Sequence, residues 1–257
     1  MKNIVTILAI VLISINFVQA QSAFSLHSVR VEGNIQNFEK TQKILSKGAQ
    51  AAVNNGDILS WIFLQVVKMD GVDDENEYNY VFAQSANNID QLLDPKFAWW
   101  NNSSIVFSKS EQDTLALLST SFKWTKDERH VYVTEDEIPN GGGAYAQFNF
   151  GRPVDVSGFV SENKALWKPF FKDNMAKFNM GAWGIARLLT PNSSSDAGRA
   201  TIMTWDLFKS MNDLMKFRIG FTIPKEMQDK SKMGQYMPDG FMFQPIYKVL
   251  GYTIAAK

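Results

Sequence analysis

Few side chains in this sequence can do acid–base or ligand chemistry at neutral pH, and two of them are histidines. His27 and His130 are the only imidazoles, so a general base, a haem ligand or a metal ligand of that type must be one of them. Tyr80 and Arg187 are the other catalytic candidates, a phenol and a fixed cation on segments that read as central strands. Trp61, Phe63, Tyr78 and Trp183 form an aromatic group on the same segments and are the candidate ligand-binding residues. Each has a plainer reading: strand histidines are often ordinary surface residues, and rings on strands are usually core.

Metal chemistry finds little support. The chain has no cysteine and no His-x-x-x-His or His-x-x-Glu-His spacing, so no zinc site is expected. Asp70, Asp73, Asp74, Glu75 and Glu77 crowd carboxylates into one short stretch but lack the alternating ligands and central glycine of a calcium loop. A solvated hairpin tip is expected there. Met211/Met215 and Met233/Met237 offer thioethers that bind Cu(I), yet one-turn spacing on a helix is the usual mark of packing. With no Gly-x-Ser-x-Gly elbow, phosphate loop or dinucleotide fingerprint, haem is the one cofactor left open.

The elements that must position these residues follow from periodicity. Leu26–Val31 reads as a strand, and Asn37 as the N-cap of a helix over about 39–54. Leu59–Val67 and Tyr78–Ala83 read as a hairpin around the acidic tip, followed by a helix over about 87–93. Ser110 with Asp113 resembles a capping box for a further helix, and His130–Thr134 makes a last strand. Pro139–Gly143 is the best linker. The order then restarts: a strand at Tyr145–Phe150 and a helix between about Asn163 and Phe178, which Pro169 kinks or opens. Strands at Trp183–Leu189 and Ala200–Trp205, a helix over about Leu207–Phe217 and a strand at Pro245–Ile254 complete it.

A constant shift of 122 residues carries Trp61 to Trp183, Gln65 to Arg187 and Leu92 to Leu214. Identities across the shift are few, so the repeat is one of pattern. The repeated β-α-β-β-α-β order resembles the fused two-repeat form of the dimeric α/β barrel superfamily. That resemblance implies an α+β fold of two ferredoxin-like units with antiparallel sheets, packed as a pseudo-twofold α/β barrel, the first repeat over 21–140 and the second over 141–257. It also implies a pocket between sheet and helices or inside the barrel. Its members include cofactor-free monooxygenases, haem-handling proteins, isomerases and plain ligand binders, so the fold chooses no activity.

Alternation predicts which way the strands face. The aliphatic or small sets Ile62/Leu64/Val66 and Gly184/Ala186/Leu188 are expected to meet the helices. Trp61/Phe63/Gln65 and Trp183/Ile185/Arg187 are expected to face the partner sheet, where Arg187 would need an acid or a bound anion. His27 and His130, on neighbouring strands, are expected to approach each other.

Residues 1–20 read as a secretory signal: Lys2, an apolar run Ile4–Val18 and the small residues of Val18-Gln19-Ala20. A secreted or periplasmic protein with no integral membrane segment after cleavage is expected. That segment holds one lysine and no acid, so its removal leaves 25 basic against 26 acidic side chains, no footprint for nucleic acid. Three functions stay open. The first is an exported protein binding a small, largely apolar ligand in a barrel or sheet–helix pocket. The second is a cofactor-free monooxygenase, an isomerase or a haem-handling protein, and the third a non-catalytic protein-interaction module.

Overall fold

Eight antiparallel strands close on themselves, and their alternation sorts side chains into an inner and an outer set. The computed structural model describes residues 21–68, 77–139, 141–191 and 198–255. The strands are β1 (Ala23–Gly33), β2 (Ser60–Val66), β3 (Tyr80–Ala86), β4 (Phe122–Pro139), β5 (Tyr145–Gly151), β6 (Met180–Thr190), β7 (Ile202–Phe208) and β8 (Ile246–Ile254). They form a closed barrel in the order β1-β3-β2-β8-β5-β7-β6-β4. Four strands before the glycine turn and four after it therefore appear in the same order, fourth, first, third, second. The two sets join along β2–β8 and β4–β6.

The offset seen in the sequence is also an offset in hydrogen-bond register. Ser25 pairs with Gln84 and Trp61 with Gln84; 122 residues on, Gln147 pairs with Asp206 and Trp183 with Asp206.

The inner set fills the barrel. Leu26, Leu64, Val81, Tyr132, Phe148, Met203 and Tyr247 are buried together, with Ile62, Val66, Leu188 and Trp205 packed against them. Nothing larger than hydrogen fits on Gly184, where an added Cβ would lie 2.0 Å from the Trp205 indole. The expected facing is thus inverted. Ile62, Leu64 and Val66 point inward, whereas Trp61 and Phe63 pack with Phe38, Ala49 and Ala52 of α1 (Ile35–Asn54). The reason is steric. The inside of a small barrel takes side chains from every strand at once, and the Trp205 indole fits there because it lies over Gly184. The outer face can hold broad rings because α1 lays Ala49 and Ala52 over them.

The connecting helices differ from expectation mainly at their ends. Asn34, not Asn37, caps α1: its Oδ1 accepts from the Asn37 backbone N–H at 3.0 Å. After α2 (Ile89–Leu93) and α3 (Ser103–Val106), the capping box of α4 (Lys109–Ser119) is Ser108 with Glu111. Pro169 stands at the opening of α6 (Lys168–Asn174), which a π-turn over 163–167 joins to α5 (Val156–Glu162). The helix α7 (Met211–Gly220) covers the second half. β4 runs far beyond His130–Thr134 because it is paired on both sides, with β1 along its first part and β6 along its second. Residues 1–20, the acidic tip from Asp70 to Glu75 and Asn192–Asp196 lie outside the described residues. Among the described residues no helix is long and apolar enough to cross a membrane.

Candidate functional site

His27 and His130 stand on adjacent strands but on opposite faces. His27 is in register with Arg129, and Leu26 with His130, so the two imidazoles diverge instead of meeting. His130 Nε2 lies 3.2 Å from both Glu128 Oε1 and an Arg199 guanidinium nitrogen. Burial lowers its pKa and Glu128 pulls the other way, so a neutral ring accepting from Arg199 is the favoured state. Tyr78 donates to Glu128 Oε2 at 3.0 Å; burial, that hydrogen bond and the Glu128 charge push its phenol up to about 12. These groups satisfy one another.

His27 faces a cavity of about 210 Å³ between the first-half sheet and α1. Its floor is Ser25 and His27 on β1, Phe82 and Gln84 on β3, Trp61 on β2 and Arg129 on β4. The roof is Gln42 and Leu45 of α1 with Trp99 and Trp100, and Trp124 stands at one side. Trp99 and Trp100 are held there by a pinned turn. Asn101 Nδ2 donates to Pro95 O at 2.9 Å, and the buried Asn102 bonds Asn55 at 3.0 Å and Asp57 at 3.2 Å, tying the turn to the end of α1.

The polar groups in this cavity are unfinished. Gln42 and Gln84 are 5% and 8% exposed; neither amide bonds another side chain or backbone group among the described residues, and their amide atoms are open to the cavity rather than sealed in the core. Two amides open to one cavity each offer a donor and an acceptor to a polar occupant. Arg129 is exposed as a residue, and its guanidinium donates to the buried Ser25 Oγ at 3.3 Å. No carboxylate pairs with it among the described residues, and its surroundings depress its pKa by desolvation. His27 Nε2 lies 3.3 Å from Asp127 Oδ2, and Trp124 meets its ring edge-on at 5.3 Å between centroids. Burial lowers the His27 pKa against the raising effect of Asp127. An apolar slot with one amide on its floor and one on its roof, a guanidinium at the floor and one imidazole able to accept a proton is the result.

The same positions in the second half are closed. Shifted by 122, Ser25, His27, Phe82 and Gln84 become Gln147, Asn149, Thr204 and Asp206, all buried. Gln147 Nε2 donates to Asn149 Oδ1 at 2.6 Å, and Asn149 Nδ2 donates to Asp206 Oδ2 at 2.8 Å and Thr204 Oγ1 at 3.0 Å. Gln244 adds a donor to Asn149 Oδ1 at 2.7 Å. Burial pushes the Asp206 carboxyl up to about 6, against the pull of its bond from Asn149. Gln147 Oε1 alone in this cluster has no partner.

The other sequence candidates lie elsewhere. Phe63 is core, stacked on Tyr80 at 5.3 Å and Phe82 at 5.2 Å. Trp183 is core in the second half, stacked on Phe171 at 5.5 Å. Tyr80 donates to Glu39 at 2.8 Å and lines a separate, more open groove of about 480 Å³ with Lys68, Lys248 and Tyr145. Arg187 does not face a partner sheet; it pairs with Glu135 at 3.0 Å on the outer face, its side chain 43% exposed. Of the named candidates only His27 and Trp61 reach the cavity. Sequence reasoning missed Gln42, Gln84 and Arg129. Two signals were available: Gln42 interrupts the apolar stripe of α1 between Phe38 and Leu45, and Gln84 is the counterpart of Asp206 in the repeat.

Haem does not fit this cavity. An apolar cavity of about 150 Å³ holds a single benzene, so about 210 Å³ admits one substituted ring or two fused ones. The Nε2 of His27 is moreover committed to Asp127. Among the described residues no group of three or more His, Cys, Asp or Glu side chains could hold a metal ion.

No protein-family model and no curated protein matches the sequence. Solved structures do match in shape. A candidate monooxygenase from Fusobacterium nucleatum superposes with a TM-score of 0.52 at 9% identity, over 92% of this chain and 96% of its own. One from Lactobacillus acidophilus gives 0.51 at 9% identity, over 91% and 96%. A chlorite dismutase variant from Candidatus Nitrospira defluvii gives 0.44 at 7% identity, over 89% and 91%. At such identities the likeness is one of fold: the chain has the closed, antiparallel, eight-stranded α+β barrel of the dimeric α+β barrel proteins.

Proposed function

We propose that this protein binds a small planar molecule in the pocket between its first sheet and α1. The observation that carries this reading is a cavity walled by tryptophans into which two amides, Gln42 and Gln84, open without a protein partner. The filled barrel moves the site out of the barrel interior. A filled barrel alone would equally suit a module that works by surface contact; the open amides favour a bound ligand. Residues 1–20 support export, to a periplasm or outside the cell. The repeated register at an offset of 122 supports two ferredoxin-like units, 21–140 and 141–257, related by a pseudo-twofold axis.

A catalytic version of this reading is favoured by one observation, the His27–Asp127 pair at the cavity wall. A neutral imidazole held by a carboxylate can take a proton from a bound ligand, the first step of cofactor-free oxygenation or isomerisation. The folds of the candidate monooxygenases agree with this without adding to it.

Tryptophan emission and melting temperature, followed across a panel of one- and two-ring aromatic molecules, test the binding reading. A saturable response is expected from some of them, abolished by Leu45→Trp, which fills the cavity. A flat panel refutes it. In the catalytic version His27→Gln keeps binding and loses turnover, measured as oxygen uptake or isomer formation; binding with no turnover of any panel member leaves a plain carrier.

A further inference from the structure

The chemistry of the ligand can be narrowed, and the narrowing rests on the binding reading above. The deep end of the cavity is polar in a one-sided way. Gln84 and Ser25 are register partners on β3 and β1, Gln42 comes down from α1, and the Arg129 guanidinium reaches Ser25 Oγ at 3.3 Å. An arginine offers five N–H donors, and the bond to Ser25 is the one hydrogen bond its side chain makes among the described residues. The nearest acid on its own strand face, Asp127, turns to His27 instead. A guanidinium beside a cavity with no carboxylate paired to it has donors free for an anion, and such charge-assisted bonds are the strong ones. The rest of the floor and roof, by contrast, is rings and a leucine: Trp61, Phe82, Trp99 and Leu45.

We propose that the ligand is an aromatic anion, a ring bearing a carboxylate or phenolate oxygen, inserted head-first so that the oxygen meets Arg129 and the glutamine amides while the ring lies between the tryptophans. The glutamines complete the recognition by donating to the same oxygen or to a neighbouring substituent. The second half offers a built-in contrast. There Asp206 replaces Gln84 and Gly251 stands at the position of Arg129, so that site carries its own carboxylate, bonded by Asn149.

Calorimetric titration of the full chain with matched pairs tests this: benzoate against benzamide, and 2-naphthoate against 2-naphthamide. A carboxylate is expected to bind about tenfold or more tightly than its neutral amide, the usual gain for a hydrogen bond to a charged group. Arg129→Gln is expected to erase the preference and Arg129→Lys to keep part of it. A phenol titrated at pH values either side of its ionisation separates phenolate from carboxylate as the anion. Equal affinity of acid and amide in the unaltered protein overturns the inference, and that comparison needs no variant to fold. If neutral rings bind and acids do not, the anion is wrong and the pocket stands. If neither class binds, the pocket reading itself has failed.

Discussion

Replacing Asp206 with asparagine tests the account of the second-half cluster. Asp206 is buried, and its folded-state pKa rises from 3.8 to about 6, chiefly by desolvation. The unfolded chain returns it to the ordinary value. The folded protein therefore holds this proton more tightly, so the stability it contributes is fully present below about pH 3.8 and is lost as pH rises through about 6. A shift of roughly two pKa units, at about 1.4 kcal/mol each, makes this loss about 3 kcal/mol, with little further change above pH 6. Asparagine is neutral at every pH. Its oxygen can still accept from Asn149, and its amide can donate to Gln147 Oε1, the acceptor that now has no partner. The expected result is a stability difference, Asp206→Asn minus unaltered protein, that grows by about 3 kcal/mol between pH 3.5 and pH 7. Urea denaturation followed by tryptophan emission measures it, and taking the difference cancels the other carboxylates. A difference that stays flat over this range would show that Asp206 is not buried as an acid, and the reasoning would fail.

Two further substitutions separate core from site. Trp183→Ala removes a buried ring stacked on Phe171 and is expected to cost about 3–5 kcal/mol in denaturant melts while leaving ligand affinity in the first half unchanged; a change in affinity would contradict its placement. Gly184→Ala drives a methyl into the Trp205 indole and is expected to destabilise by about 1–3 kcal/mol; an unchanged melting temperature would mean the barrel interior is looser than described.

The sequence carried the element order and the 122-residue offset well, because both rest on periodicity and turn residues, which are local. It misread the facing of the strands for a reason that is not local. Trp61 and Phe63 beside Gln65 suggested a mixed, ligand-facing surface, but which face of a strand meets helices depends on what α1 and the other seven strands leave free. Ala49 and Ala52 on α1 and Gly184 on β6 decide that question only when brought together. The site was legible in part. His27 and Trp61 stood out by type, whereas Gln42, Gln84 and Arg129 are common residues that gain meaning from lying at one end of one cavity. His27 and His130 show the same limit in another form: adjacent strands do not bring side chains together when the register sets them one residue out of step.

The two ladders that join the halves, β2–β8 and β4–β6, have a consequence for how this chain can change. Without them the first half would present the bare edges of β2 and β4, and the second those of β6 and β8, each a template for pairing with another molecule. Two separate chains would have to find each other, and their stability would depend on concentration. Joined through the turn at Gly141–Gly143, the ladders form within one molecule at any dilution, and the two halves need not stay alike. One half can then keep its outer face hollow and polar at the base while the other packs the same position with Asn149, Thr204 and Asp206. A change that opens or closes one pocket is inherited by that pocket alone, a freedom that a symmetric pair of identical chains does not have.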